Sequence, residues 1–264
     1  MKVWIRGAGD LASGIACRLY RCGFQILMTE IAVPTTVRRA AAFSPAVYGG
    51  ETAVEGIKGV LCDGIPAAER AVAGGLVAVM ADETGETAKL WKPDVLVDAV
   101  IAKRNLGTAL TDAPIVIGVG PGFTAGVDCR RVVETKRGHR LGRCIYEGSA
   151  EPNTGIPGII GGYGRERVFR APCAGVFRGV RAIGDRVEAG EIVAYAGETP
   201  VRAEIGGILR GILQDGVSVT EGMKAGDVDP RDVRDNCYSV SDKALAVAGG
   251  VLEGILSCLA EDGR

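Results

Sequence analysis

Apolar residues follow two rhythms along the chain of 264 residues. Over residues 1–120, short Val/Ile/Leu runs alternate with stretches whose apolar positions recur at helical spacing. That is the pattern of strands buried on both faces and covered by helices. Val3–Ile5, Phe24–Thr29, Leu76–Met80, Val95–Ile101 and Ile115–Val119 read as strands, with shorter strand-like pieces at Thr52–Val54 and Val60–Cys62. Leu11, Ile15, Ala16 and Leu19 share a helical face. Pro34 suits the first turn of a helix through Val37 and Arg38 to Phe43, and another helix covers Pro66–Ala73. Alternation in Cys129–Glu134 predicts a strand, with Val132 and Glu134 on one face, and Arg137-Gly138-His139 a turn. Residues 148–165 carry Gly or Pro at almost every other position and read as a connector. Ile156, Ile159, Ile160 and Tyr163 suggest either a packed loop over a site or a plain interdomain link.

Beyond Arg165 the second rhythm is a repeat. Gly175, Gly184, Val187 and Gly190 recur as Gly207, Gly216, Val219 and Gly222 at one offset of 32 residues. Two copies of a short β unit, neither able to bury a core alone, predict one pseudo-symmetric β sandwich. Ser239 or Ser241 then caps a final helix over about Asp242–Ala260. Ala246, Gly249, Gly250 and Gly254 make that helix narrow, so it is expected to pack closely, returning to the first domain.

The first turn carries candidate chemistry. Gly7-Ala8-Gly9-Asp10-Leu11-Ala12 fits G-x-G-x-x-G/A between a strand and a helix. Gly7 permits the tight turn, Gly9 clears space for a phosphate, Ala12 lets the helix approach the sheet, and Ser13 follows in the first turn. The helix N-terminus offers amides to an anion. Glu30, 21 residues after Gly9, stands where an acid grips a ribose hydroxyl, which favours NAD; Arg38 and Arg39 keep NADP open. A tight strand–helix turn with no ligand remains the alternative.

Further candidates follow the later strands. Asp98 needs a partner if buried. Lys103-Arg104-Asn105 reads as an anion clamp or a solvated turn. Gly120 and Gly122 open a second glycine-rich loop that forms an anion nest or a wide turn; similar turns occur in tetrapyrrole-pathway methyltransferases. Arg130, Arg131, Lys136, Arg137, Arg140 and Arg143 suit phosphate or carboxylate capture as well as a charged hairpin.

Composition narrows the classes. A net charge of −1 gives no pull toward nucleic acid or anionic membrane. Leu245–Leu252 is too short to span a bilayer and no N-terminal signal is visible, so the expectation is a soluble cytoplasmic protein. Eight scattered cysteines without a Cys-x-x-Cys pair read as reduced thiols. His139 is the only histidine, so no metal site is expected. Lys103 and His139 are the acid/base candidates for an oxidoreductase, and Cys173 reads as a buried thiol or a carrier of sulfur or selenium.

The repeat resembles the biotinyl/lipoyl barrel-sandwich hybrid, which carries its group on a hairpin lysine. Gly197-Glu198-Thr199-Pro200 stands there without one, so no biotin or lipoate is expected and the module is read as docking or structural. Arg6–Gly14, Lys103–Asn105, Gly120–Gly126, Arg137–His139, Pro152–Gly155, Gly226–Arg231 and Ser241–Lys243 together resemble the YqeB-type accessory proteins of selenium-dependent molybdenum hydroxylase systems, over nearly the full length. The xanthine dehydrogenase accessory factors are also similar. The resemblance implies a partner in a molybdenum hydroxylase or its maturation machinery, and it supplies no catalytic residues.

The expected architecture is α/β. A Rossmann-like nucleotide-binding domain (1–147), a connector (148–165), a barrel-sandwich hybrid (166–232) and a C-terminal helix (233–264) follow in order. The expected role is maturation, with NAD, NADP or the molybdenum pterin cofactor as the phosphate-bearing ligand. An NAD(P)-dependent oxidoreductase and a non-catalytic scaffold are the alternatives, and a homo-oligomer is compatible with the sequence.

Overall fold

The computed structural model describes residues 1–155 and 158–263. The chain forms two compact units: residues 1–34, 42–154 and 240–264 make the first, and residues 35–41 and 155–239 the second.

The first unit is built on β1 (Lys2–Arg6), α1 (Asp10–Arg21), β2 (Gln25–Glu30), α2 (Ala46–Gly49), β3 (Glu51–Val54), β4 (Ile57–Leu61), α3 (Ile65–Ala73), β5 (Val77–Ala81), α4 (Glu86–Lys89), β6 (Val95–Asp98), β7 (Ile115–Val119), β8 (Thr124–Ala125), β9 (Arg131–Val133), β10 (Cys144–Ile145) and β11 (Gly148–Ser149). Nine strands form one sheet in the order β10-β9-β7-β6-β1-β2-β5-β4-β3. Its strands run parallel except β3 and β10 at the two edges. Alternation explains why both faces are buried. Val3, Ile5, Val95, Val97, Ile115 and Ile117 enter one core, while Trp4, Leu96 and Val116 enter the core on the other side. Chain order reverses at β1 and β6, a switch point whose crevice opens at the carboxyl ends of the strands.

The last helix of the chain, which follows the sandwich, belongs to this unit. It spans Asp242–Glu261, and the Ser241 hydroxyl caps it by accepting from the Ala244 amide. It is the one helix among the described residues with the length and apolarity of a membrane span, longer than the 245–252 run suggests. Its Val247, Val251, Ile255 and Cys258 face is buried in the same core as α1. A Cβ on Gly14 of α1 would lie 2.7 Å from the Ala244 Cβ, so the two helices touch almost backbone to backbone.

Among its described residues the second unit contains eight strands: β12 (Val168–Arg170), β13 (Gly175–Gly179), β14 (Arg186–Val187), β15 (Ile192–Ala196), β16 (Thr199–Arg202), β17 (Gly207–Ile212), β18 (Ser218–Val219) and β19 (Lys224–Asp229). The helix described above is α5 in chain order. Two antiparallel four-stranded sheets result, β12-β19-β17-β14 and β16-β15-β13-β18, around a core of Phe169, Phe177, Val193, Leu209, Ile212 and Val228. The 32-residue offset is visible in the hydrogen bonds. Gly190 N donates to Ala203 O as Gly222 N donates to Ala171 O, and Gly184 N donates to Leu209 O as Gly216 N donates to Phe177 O. Each sheet takes two strands from each copy, so neither repeat has a sheet of its own.

Several sequence expectations change. Residues 34–43 form only a short 3-10 turn, Arg39–Ala41. Long-range bonds override the helical periodicity: Arg38 donates to Asn236 O and Ser239 O, Arg39 donates to Ile212 O and Gln214 Oε1, and Val37 O accepts from Ile212 N. Strand β6 stops at Asp98, because Ile101 and Lys103 adopt positive φ (+60° and +65°), which strands exclude. Strand β9 is limited to Arg131–Val133. Within the connector, Gly148–Ser149 pairs with β8, Ile159 and Tyr163 are exposed, and Ile156 lies outside the described residues.

Candidate functional site

The carboxyl edge of the large sheet gathers loops distant in sequence. Gly7 leaves β1 at φ +96° and donates to Thr29 O at 2.7 Å. A Cβ there would lie 3.0 Å from Ala99 O, which follows β6. A Cβ on Gly122 would lie 2.6 Å from the Arg104 Cα, and one on Gly120 would lie 2.9 Å from Thr135 Oγ1 after β9. The turns after β1, β6, β7 and β9 therefore touch, and they admit glycine alone where they do.

The fingerprint loop is largely satisfied by its own chain. Glu30 Oε2 accepts the Ala8 amide and Oε1 the Ile31 amide, both at 2.9 Å. Ala8 O accepts from Ser44 N and from the Ser13 hydroxyl, which itself accepts from Phe43 N at 2.8 Å. Burial pushes the Glu30 carboxyl above its ordinary range, and the two amide bonds oppose that shift. Each Glu30 oxygen keeps one lone pair beyond its amide bond. Gly9 is the N-cap of α1, with extended backbone, and Asp10 and Ala12 occupy the first turn.

Beneath the loops lies a buried polar triad. Arg6 donates to Asp98 at 3.3 Å and to the Thr108 hydroxyl at 2.6 Å, and that hydroxyl donates to Asp98 at 2.6 Å. Asp98 also accepts the Val100 amide, so it both pairs and caps. Asn105 accepts from Gly107 N and Thr108 N and donates to Asp128, so this member of the Lys103–Asn105 motif is a loop brace. Lys103 and Arg104 are exposed beside it.

The arginine-rich stretch mostly meets carboxylates of the chain. Arg130 pairs with Glu261 and Asp262, Arg131 with Glu261 while stacking 4.4 Å above Tyr146, Lys136 with Glu151, and Arg137 holds Asp242 with bonds of 2.7 and 2.8 Å. Arg130, Arg131 and Arg137 thus tie the two ends of α5 to the sheet edge, and Lys136 ties to the connector, as in the charged-hairpin alternative. His139 is exposed in the turn that follows.

Two further residues were not among the candidate site residues. Glu134 is buried and accepts three backbone amides, from Thr135, Lys136 and Glu151, each at 2.7 Å. Lys243 is half-buried in the first turn of α5, where a cation opposes the helix dipole. Burial pushes its ammonium down, Arg137 pushes the same way, and Asp10, Glu134 and Asp242 oppose. A lysine directly after an N-cap and an aspartate was the available signal. No group of three metal-ligating side chains forms among the described residues. The thiols of Cys17, Cys129 and Cys144 are pushed up to about 12 by burial, far from reactive. Cys173 is half-buried, within 3.3 Å of Thr199 Oγ1.

No protein-family model matches the chain. It is similar, at 11% identity and a TM-score of 0.29, to an aspartoacylase family protein from Mesorhizobium loti, over 86% of this chain and 84% of that one. It is similar at 13% and 0.27 to the ectoine utilization protein EutE (DoeB) from Ruegeria pomeroyi, over the same shares. Likeness at that level carries nothing about fold or site. Over 254 residues it is 47% identical to the Uncharacterized protein YqeB of Escherichia coli (strain K12), a match covering 96% of this chain and 47% of that protein. The chain is thus similar in sequence to YqeB and spans about half of its length.

Proposed function

We propose that the chain is a cytoplasmic accessory or maturation protein of a selenium-dependent molybdenum hydroxylase system. In this reading the large sheet is Rossmann-like and the second unit is a barrel-sandwich hybrid without a carrier lysine. A phosphate-bearing ligand, a dinucleotide or the molybdenum pterin cofactor, sits at the α1 N-terminus. The observation that carries the reading is the meeting of four glycine-bearing or strained turns at the switch point, where parallel sheets take ligands. The Ala8 amide is committed to Glu30, so a phosphate would rely on the first-turn amides of α1, with Lys103 and Arg104 as exposed cations. Calorimetry with NAD, NADP and a molybdopterin nucleotide tests this. One of them binds, and Gly9→Val abolishes that binding while thermal unfolding stays unchanged.

The same Glu30–Ala8 bond, with Ala99 close over Gly7, favours one other reading: a scaffold whose glycine turn serves folding and whose role is to dock the hydroxylase. Silence from all three ligands selects it. The oxidoreductase alternative would place Lys103 or His139 at the chemistry, and turnover of a small substrate with reduced cofactor is its signature.

A further inference from the structure

The second unit bears a solvent-open cleft of about 540 Å³, its charged side chains exposed, that the sheet-edge reading does not use. Its charged lining is Arg165, Arg170, Arg202, Glu204 and Glu221, over a floor that includes buried Phe169. Arg170 and Arg202 are mates under the 32-residue repeat, and each ends an edge strand, β12 or β16. Both are braced alike. Arg170 Nη1 donates to Gly222 O at 2.8 Å and Arg202 Nη1 to Gly190 O at 2.7 Å, leaving most of the N–H groups of each guanidinium for a guest. Arg165, Glu204 and Glu221 form no hydrogen bond or ion pair through their side chains among the described residues, although most other charged side chains of this unit are paired.

The charge pattern selects the guest. Three guanidiniums against two carboxylates leave one positive charge in excess, so the complementary ligand carries two acidic groups and one amine. A polyphosphate would set its charge against Glu204 and Glu221, and an apolar ligand would desolvate five ionic groups. The volume lies within the range of small-molecule sites, roughly 300–1,000 Å³. We propose that this cavity binds a short peptide-like zwitterion, its two carboxylates on Arg170 and Arg202 and its ammonium on Glu204 and Glu221.

The test titrates the full chain with the tripeptide Glu-Ala-Gly, and with glutarate, which has the two carboxylates and lacks the amine. The tripeptide is expected to bind more tightly than glutarate. Arg170→Ala and Arg202→Ala should each weaken it by about tenfold, the loss of one charged hydrogen bond. The Glu204→Gln, Glu221→Gln double variant should weaken the tripeptide and leave glutarate as tight or tighter, since two like charges are removed. No binding at millimolar tripeptide, equal affinity for glutarate, or variants indistinguishable from the parent would each overturn the proposal. The parent protein alone decides the tripeptide–glutarate comparison, so a variant that fails to fold does not protect it. The outcome is independent of the ligand at the α1 N-terminus, because no residue is shared.

Discussion

Glu30 shows how one side chain can serve folding where the sequence pattern points to a ligand. Its carboxylate replaces water on the Ala8 and Ile31 amides, and the burial this requires raises its pKa above the ordinary 4.5. An acid with a raised folded-state pKa contributes stability that is complete below its unfolded value and is lost as pH rises through the folded value. Glu30→Gln keeps the size of the side chain and removes the titration. The stability of the parent minus that of Glu30→Gln, from urea midpoints, should therefore fall as pH rises from the ordinary carboxylate range through the raised folded-state value. A difference that stays level across that window would mean that Glu30 is as well solvated folded as unfolded.

At the scale of elements, α5 separates two adjacent glycines that look equivalent in sequence. Nothing lies within 4 Å of a Cβ built on Gly249, whereas one on Gly250 would run into Gly142 O and lie 2.8 Å from Val133 Cγ1. Gly249→Ala should stabilise the protein by up to about 1 kcal/mol through helix propensity. Gly250→Ala should destabilise it by about 1–3 kcal/mol, since backbone must shift to admit the methyl group. Denaturant midpoints of the two variants should move in opposite directions. The narrowness of this helix was readable in advance, as were a serine cap at 239 or 241, the positions of five strands of the large sheet and the 32-residue repeat. Each is written in local spacing or in self-similarity. The absence of a helix at residues 34–43 was not readable, because Val37, Arg38 and Arg39 are held by partners near residues 212 and 236, and no local pattern reports such pairing.

At the scale of the whole chain, the candidate site was legible as a set of motifs and illegible as an arrangement. Gly7, Arg104, Gly120 and Gly122 were singled out separately, and only the parallel sheet brings the turns that carry them to one edge. Lys243 reaches the same region because α5 crosses back beneath α1 after the entire sandwich has been built. That route makes the first unit depend on the last 25 residues, Val240 onward. Without them, Ile15, Val97, Ile117 and Val133 lose the apolar cover supplied by Val247, Val251 and Ile255. Fully burying each such side chain is worth about 1.5–3 kcal/mol, and several together exceed the stability of an ordinary domain. The sandwich has a separate core, and all of its strands lie before Val240. A chain ending at Ser239 should therefore lose the first unit and retain the second. The two tryptophans, Trp4 and Trp91, are both buried in the first unit and report on it alone. Truncation should shift their emission to that of water-exposed indole while the circular dichroism of antiparallel β structure persists and melts cooperatively. Unshifted tryptophan emission would show that α1 and the sheet hold together without α5. A simultaneous loss of the β signal would show that the sandwich cannot stand without the first unit.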